Sequence, residues 1–273
     1  MQLQAYLDRI GFDGVIRHDL ETLTALHRAH LMSVPYENLD VQLKRPVSTD
    51  AAHCYDKVVA RRRGGWCYEM NGVFAWALQA AGFEVTRHCG NGDETGSHLV
   101  LEVRLDRPYV CDVGFGEGAV EPFALEEGTF FQRGFEFRLE RLEHGWRFHN
   151  HRFGLVPGFD FAGPDEAALA ERCDALQTEP GSVFVQNAIL LKHDAEGYTT
   201  ILGREMRRIT AEGRSKRVIE DVDAYLHTLQ TVFGLDVPEA RSLWPAICRR
   251  HEEIAAQRAA AAESAGGKAV ASP

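Results

Sequence analysis

The period of the apolar residues changes near Phe83, so helices and strands must occupy different parts of the chain. Residues 1–83 read mainly as helix. Residues 20–31 carry apolar positions at helical spacing and Pro35 stops them. After a loop containing Pro46, a second helical pattern runs through Met70, Val73, Phe74, Ala77, Leu78 and Ala81 and ends at Gly82. Over residues 84–185 the pattern shifts to short alternating runs broken by Gly, Asp and Pro clusters. Strands are predicted at 97–105, 109–115, 135–142 and 146–153, forming an antiparallel sheet or small barrel. Residues 186–258 add strand-like runs at 188–192, 198–202 and 207–210, then helices over 221–233 and 238–258. The Ala/Gly/Ser-rich stretch 259–273 is expected to fray or to be disordered.

A chain of 273 residues can bury a substantial core. Its 45% hydrophobic and 26% charged content excludes the fibrous and disordered classes. The formal charge of −10 argues against nucleic acid as a partner, because a phosphate backbone demands a basic face. No stretch of about 18 uncharged apolar residues is present, so no membrane association is expected. The opening residues lack a basic segment followed by an apolar one. The six cysteines, without dense framework spacing, read as reduced thiols, and a cytoplasmic location is expected.

One of those thiols stands apart. In Arg63-Gly64-Gly65-Trp66-Cys67-Tyr68-Glu69-Met70-Asn71, Cys67 follows a glycine pair and opens an amphipathic helix. The glycines allow a sharp turn with positive φ. The exposed N–H groups and dipole of the helix start are expected to favour a thiolate, lowering the pKa from its free value of about 8.5. Cys54, Cys89, Cys111, Cys173 and Cys248 have no such context and read as buried apolar residues. Arg61, Arg62 and Arg63 are the obvious local exception to the acidic balance, and Arg63 is the candidate contact for a phosphate-bearing ligand.

A cysteine nucleophile needs an imidazole to take its proton and a carboxylate to orient the imidazole. His98 opens a run in which Leu99, Leu101, Val103 and Leu105 form one face, leaving His98 on the other, pointing away from the main core. Asp112 is a lone acid in the next apolar run, costly unless paired. An odd-length loop at residues 106–108 puts His98 and Asp112 on one face of an antiparallel pair, and Pro108 disfavours a tight two-residue turn. Cys67, His98 and Asp112 are therefore the candidate catalytic set, with His88 as the other candidate base.

The Arg63–Asn71 run resembles the active-site signature of the arylamine N-acetyltransferases. Ser97-His98-Leu99-Val100-Leu101 and Asp112-Val113-Gly114-Phe115-Gly116 are similar to that family's histidine and aspartate segments. The segments around Tyr6 and around Pro35-Tyr36-Glu37-Asn38 are also similar to family segments, and Phe233-Gly234-Leu235 fits its C-terminal helix. The resemblance implies an α+β fold in three parts: a helical bundle, an antiparallel β-barrel, and an α/β lid, with a core like that of cysteine proteases. It implies transfer of acetyl from acetyl-CoA through an acetyl-cysteine to an arylamine, arylhydrazine or arylhydroxylamine, without a metal. Tyr36, Tyr68, Phe115 and Gly116 map to positions lining the acceptor pocket, and Gly114, Gly116 and Gly118 form a loop that coenzyme A can approach closely. Glu69 and Asn71 read as supports of the helix start. The stretch between Cys67 and His98 is shorter than in the family, as is the turn between His98 and Asp112.

Other functions weighed against this are a macrolactam-forming amide synthase with the same triad, whose acyl donor is carrier-bound, and a peptidase or transglutaminase-like enzyme. A metal-binding protein is a further alternative. His149 and His151, two apart on a predicted strand, are its only support, with no Cys-x-x-Cys pair and no third ligand nearby.

Overall fold

The computed structural model describes residues 1–90 and 98–269, with side chains up to residue 258. The chain opens with α1 (Leu3–Ile10) and α2 (Leu20–Ser33), followed by the short strand β1 (Tyr36–Glu37). Next come α3 (Leu39–Gln42), α4 (Ala51–Tyr55), a π-helical turn at Asp56–Ala60, and α5 (Cys67–Ala80). The Asp19 carboxylate caps α2 by accepting the Thr22 N–H at 2.8 Å, and the chain turns extended at Val34, before Pro35. Helix α5 departs from the amphipathic expectation. Every side chain from Cys67 to Leu78 except Trp76 is buried, so it is a central element enclosed on all sides.

Two four-stranded antiparallel sheets follow. One is β2 (Glu84–Cys89), β3 (Leu99–Arg104), β4 (Pro108–Cys111) and β5 (Phe123–Ala124), in that order. The other is β6 (Gly128–Gln132), β7 (Phe135–Arg141), β8 (Trp146–His149) and β9 (Gly158–Phe161). The expected barrel is not closed among the described residues. A single bridge between Cys89 and Ala162 joins the sheets, while at the other edge β5 has only two residues and forms no ladder with β6. Residues 166–178, expected to continue the strand-rich region, form helix α6 (Glu166–Thr178), capped by the Asp165 carboxylate on the Ala168 N–H at 2.9 Å.

After the short α7 (Val183–Gln186), strands β10 (Ile189–His193), β11 (Gly197–Leu202), β12 (Glu205–Thr210) and β13 (Gly213–Val218) form an antiparallel sheet. Its fifth strand is β1 from the helical region, with Tyr36 opposite Leu191 and Glu37 opposite Leu190. Helix α8 (Val222–Thr231), a 3₁₀ turn at Pro238–Leu243 and α9 (Trp244–Ala269) complete the chain. Helix α9 thus extends into the 259–273 stretch expected to loosen. Side chains from 259 and residues 270–273 lie outside the described part, as do 91–97, where Ser97 and the last part of the shortened stretch between Cys67 and His98 fall.

The apolar core is in two parts. The larger joins α1, α2 and α5 to both four-stranded sheets through residues such as Leu23, Phe74, Leu99, Val103, Leu139 and Phe148. The smaller packs Leu190 and Ile201 of the five-stranded sheet against Tyr225, Leu229, Phe233 and Ile247. The larger core brings the start of α5 against the ends of β3 and β4, where the predicted site residues lie.

Candidate active site

Cys67 is the first residue of α5 and is 4% exposed. The two glycines before it have a reason other than the expected one. Neither has positive φ, and that conformation falls on Arg62 instead, at φ 52°. What Gly64 and Gly65 provide is close approach. A Cβ on Gly64 would lie 2.0 Å from the Pro35 carbonyl oxygen, and one on Gly65 2.7 Å from the Glu69 Cβ. The thiol also differs from expectation. Burial pushes its pKa above the ordinary value, Cys173 and Asp112 push the same way, and the Leu99 and Tyr68 N–H groups pull it back. The helix start alone therefore does not yield a thiolate, and Cys67 needs a base to become one.

The Leu99 N–H that faces the sulfur belongs to the residue after His98. The β3–β4 register pairs Leu101 with Cys111 and Arg104 with Pro108 across a three-residue loop. That odd-length loop is shifted by one residue from the expected position but has the same parity, so His98 and Asp112 share a face. His98 Nε2 lies 2.7 Å from Asp112 Oδ2, which leaves Nδ1 as the ring nitrogen able to accept a proton. The ring does not point away from the core, as its strand pattern suggested. It is 6% exposed and packs against Phe159 and Phe115, with centroids 4.5 and 5.6 Å away.

Asp112 is just past the end of β4. Burial, the largest single influence, raises its pKa, but the His98 charge together with hydrogen bonds from His98, Asn71 and the Gly114 N–H outweighs it, and the carboxyl is held below its ordinary value. Its Oδ1 accepts from Asn71 Nδ2 at 2.8 Å, the Gly114 N–H at 2.9 Å and the Phe115 N–H at 3.0 Å. Asn71, read from sequence as a support of the helix start, therefore reaches the acid itself.

Gly114 lies against Cys67. A Cβ there would come within 2.7 Å of the Cys67 Cα. Gly116 has φ +85°, and a Cβ on it would touch the Tyr36 ring at 3.6 Å. Tyr36 is buried, and its phenol pKa is raised first by burial and then by Cys67. Phe115 stacks edge-on to His98, and a Cβ on Gly118 would meet Phe115 at 3.1 Å. Tyr68 is fully buried against Trp66, with ring centroids 5.4 Å apart. Gly114 and Tyr36 thus lie near Cys67, Gly116 lies against Tyr36 and Phe115 beside His98 with Gly118 against it, while Tyr68 supplies its N–H to the sulfur and packs its ring on Trp66.

Arg63 is not available to a phosphate. It is buried, with Nη2 2.7 Å from Glu37 Oε1 and 3.3 Å from Asp40 Oδ1. Lys57, fully buried, lies 2.8 Å from Glu69 Oε2 and 3.1 Å from Asp40 Oδ2. Glu69 in turn accepts the Trp66 N–H at 3.3 Å, so this ionic cluster holds the start of α5. Lys57, Glu37 and Asp40 escaped the sequence reading. The one signal available was acids and a lysine set among apolar residues, which require partners when buried.

His88 is committed elsewhere, its Nε2 3.0 Å from Glu102 and its Nδ1 3.2 Å from the Ala162 carbonyl. His149 ends β8 beside Glu140 and Arg138, whereas His151 lies beyond the strand, buried near Tyr198. They do not form the same-face pair expected of them. Among the described residues no group of three or more His, Cys, Asp or Glu side chains is disposed to hold a metal ion. No helix among them is long and apolar enough to cross a membrane.

Residues 19–242 match a protein-family model described as N-acetyltransferase. The arylamine N-acetyltransferase of Mycolicibacterium smegmatis is 43% identical over 261 residues, covering 87% of this chain and 93% of the relative. Arylamine N-acetyltransferase 1 of Bos taurus is 34% identical, covering 74% of this chain and 81% of the relative. Among solved structures, the arylamine N-acetyltransferase of Mycobacterium marinum in complex with CoA superposes with a TM-score of 0.83 at 30% identity. That match covers 90% of this chain and 98% of the other.

Proposed function

Since the chain belongs to the arylamine N-acetyltransferase family, an acyltransferase family, we propose that it moves acetyl from acetyl-CoA to aromatic amines, hydrazines or hydroxylamines by way of Cys67. The observation that carries this reading is the 2.7 Å contact between His98 and Asp112 beside a buried thiol at a helix start. The His98 Nδ1 takes the Cys67 proton, and the resulting imidazolium is stabilised by Asp112. The thiolate adds to the thioester carbonyl. As the carbonyl re-forms, the bond to the CoA sulfur breaks and the departing thiolate takes the proton from His98. The amine then adds to the acetyl-cysteine, His98 receives the proton that the nitrogen loses, and Cys67 leaves as a thiolate that recovers it.

In this reading residues 1–83 carry the nucleophile, 84–185 the base and its orienting acid, and 186–258 the lid. The Tyr68 N–H, which reaches the Cys67 sulfur, stabilises the tetrahedral oxyanion in this reading. Tyr36, Tyr68 and Phe115 offer aromatic faces to the acceptor, and Gly116 leaves it room. Gly114 and Gly118 let CoA approach the backbone of the loop. The M. marinum enzyme, bound to CoA over nearly the same fold, supports CoA as the donor. A cytoplasmic setting is consistent with the six unpaired cysteines.

Intact-mass measurement after addition of acetyl-CoA tests the proposal. The wild-type chain should gain one acetyl group, Cys67→Ser should gain none, and an arylamine should discharge the adduct. A wild-type chain that stays unmodified, or an adduct that persists in Cys67→Ser, would overturn it.

A further inference from the structure

The segment between β4 and β5, residues 112–122, carries Asp112, Gly114, Gly116 and Gly118 without any strand ladder of its own. Such a segment holds one conformation only where other elements tie it down. Two widely separated points of it meet a single side chain from α2. His27 Nε2 accepts the Asp112 N–H at 3.0 Å, and its Nδ1 lies 2.9 Å from the Val120 carbonyl oxygen. These partners dictate the state of the ring. A main-chain N–H can only donate, so Nε2 must be bare, and a carbonyl can only accept, so Nδ1 must carry the hydrogen. A doubly protonated ring would lose the Asp112 contact.

The surroundings favour that neutral state. His27 is 1% exposed and stands edge-on to Phe74 of α5 at 5.7 Å. Burial lowers its pKa to about 4. One imidazole thus joins α2, the helix that begins at Cys67, and both ends of the stretch that begins at Asp112. The remaining bonds of Asp112 act on its carboxylate, whereas His27 holds the main-chain nitrogen from which that carboxylate projects. Leucine would fill the space beside Phe74 but could make neither bond.

We propose that His27 is a positioning residue for acetyl transfer: as the Nδ1–H tautomer it clips residue 112 to residue 120 and so sets the Asp112 carboxylate against His98 Nε2. The proposal rests on the reading in which Cys67, His98 and Asp112 carry the reaction. Two substitutions separate bonding from bulk. His27→Leu keeps apolar volume and neither bond, while His27→Gln keeps one donor and one acceptor.

The wild-type chain is first tested for acetylation at Cys67, since failure there counts against the catalytic reading and leaves His27 to the measurements below. Folded His27→Leu should lose about tenfold or more in kcat for arylamine acetylation with KM for acetyl-CoA within about twofold, and His27→Gln should recover most of the rate. Wild-type kcat in folded His27→Leu would overturn the proposal, as would equal losses in both variants. Should His27→Leu not fold, or should no turnover be found, ¹⁵N spectra of the intact wild-type chain decide. The His27 ring should stay Nδ1-protonated and Nε2-bare from about pH 5.5 to 8. The opposite tautomer, or titration within that range, would overturn the proposal.

Discussion

Asn71 uses its whole amide. Nδ2 donates to the Leu99 carbonyl at 2.5 Å and to Asp112 Oδ1 at 2.8 Å, and Oδ1 accepts the Val113 N–H at 2.9 Å. It thereby links the helix that begins at Cys67 to the strand that follows His98 and to Asp112. Asn71→Leu keeps the volume but leaves the Val113 N–H and a carboxylate oxygen short of partners in a buried site. At about 1–3 kcal/mol for each deprived group, the variant should lose roughly 2–6 kcal/mol of stability. Its kcat should fall by about tenfold or more, because Asp112 is no longer held in line. Urea unfolding and steady-state acetylation check both, and an unchanged unfolding midpoint would show that these bonds contribute little.

At the scale of elements, two contacts govern how α5 meets its surroundings. The first is the bare face of Gly114 against Cys67. Gly114→Ala forces a methyl group to within 2.7 Å of the Cys67 Cα and 2.8 Å of its carbonyl oxygen, backbone atoms that cannot swing aside. It should cost about 1–3 kcal/mol and most of the activity. Gly181→Ala, whose new methyl would meet nothing within 4 Å, is the matched control. Equal melting temperatures for the two variants would contradict this account.

The second contact is the ionic cluster at the start of α5, where Lys57 and Arg63 face Glu37, Asp40 and Glu69. Lys57→Met leaves three buried carboxylates with one arginine, a loss of about 3–5 kcal/mol. Restoring the balance with Glu69→Gln in the same chain should recover part of it. A calorimetric scan showing no difference between the single and double variants would argue against the charge pairing.

For the whole molecule, burial of titratable groups sets how stability follows pH. Burial depresses His27 to about 4, His151 to about 4 and His193 to about 3. In the unfolded chain these rings take up protons near pH 6.5, whereas in the folded chain they stay bare. Unfolding therefore binds protons between about pH 6.5 and 4, and stability falls as the pH falls through that window. Glu69 works in the opposite sense. Burial raises it to about 7, so its contribution is complete below about pH 4.5 and is lost as the pH rises toward 7. Burial also lowers His30 and raises Glu117, so four imidazoles against two carboxyls leave a net loss on acidification, of order 1–3 kcal/mol per pH unit at its steepest. Urea midpoints at pH 5 and 7.5 test the sign. A midpoint at pH 5 equal to or above that at pH 7.5 would contradict it.

How much of this was legible beforehand divides along the range of the forces involved. Strand alternation repeats every two residues, so the shared face of His98 and Asp112 could be read from one short stretch of chain. The helix start at Cys67 was readable for the same reason, since glycine pairs and apolar spacing are local signals. Arg63 was misread because its partners Glu37 and Asp40 come from a separate segment, and a charge run looks the same whether water or carboxylates receive it. The pairing of β1 with β10, the unclosed sheets and the bond from His27 to Asp112 likewise depend on the path of the chain.

What the sequence determined by itself is the set of reactive residue types and the local element that carries each one. The tertiary structure alone decided which buried groups neutralise one another, and that burial opposes the thiolate that the helix start favours at Cys67. Burial and pairing are properties of a packed environment, and residues far apart along the chain create that environment.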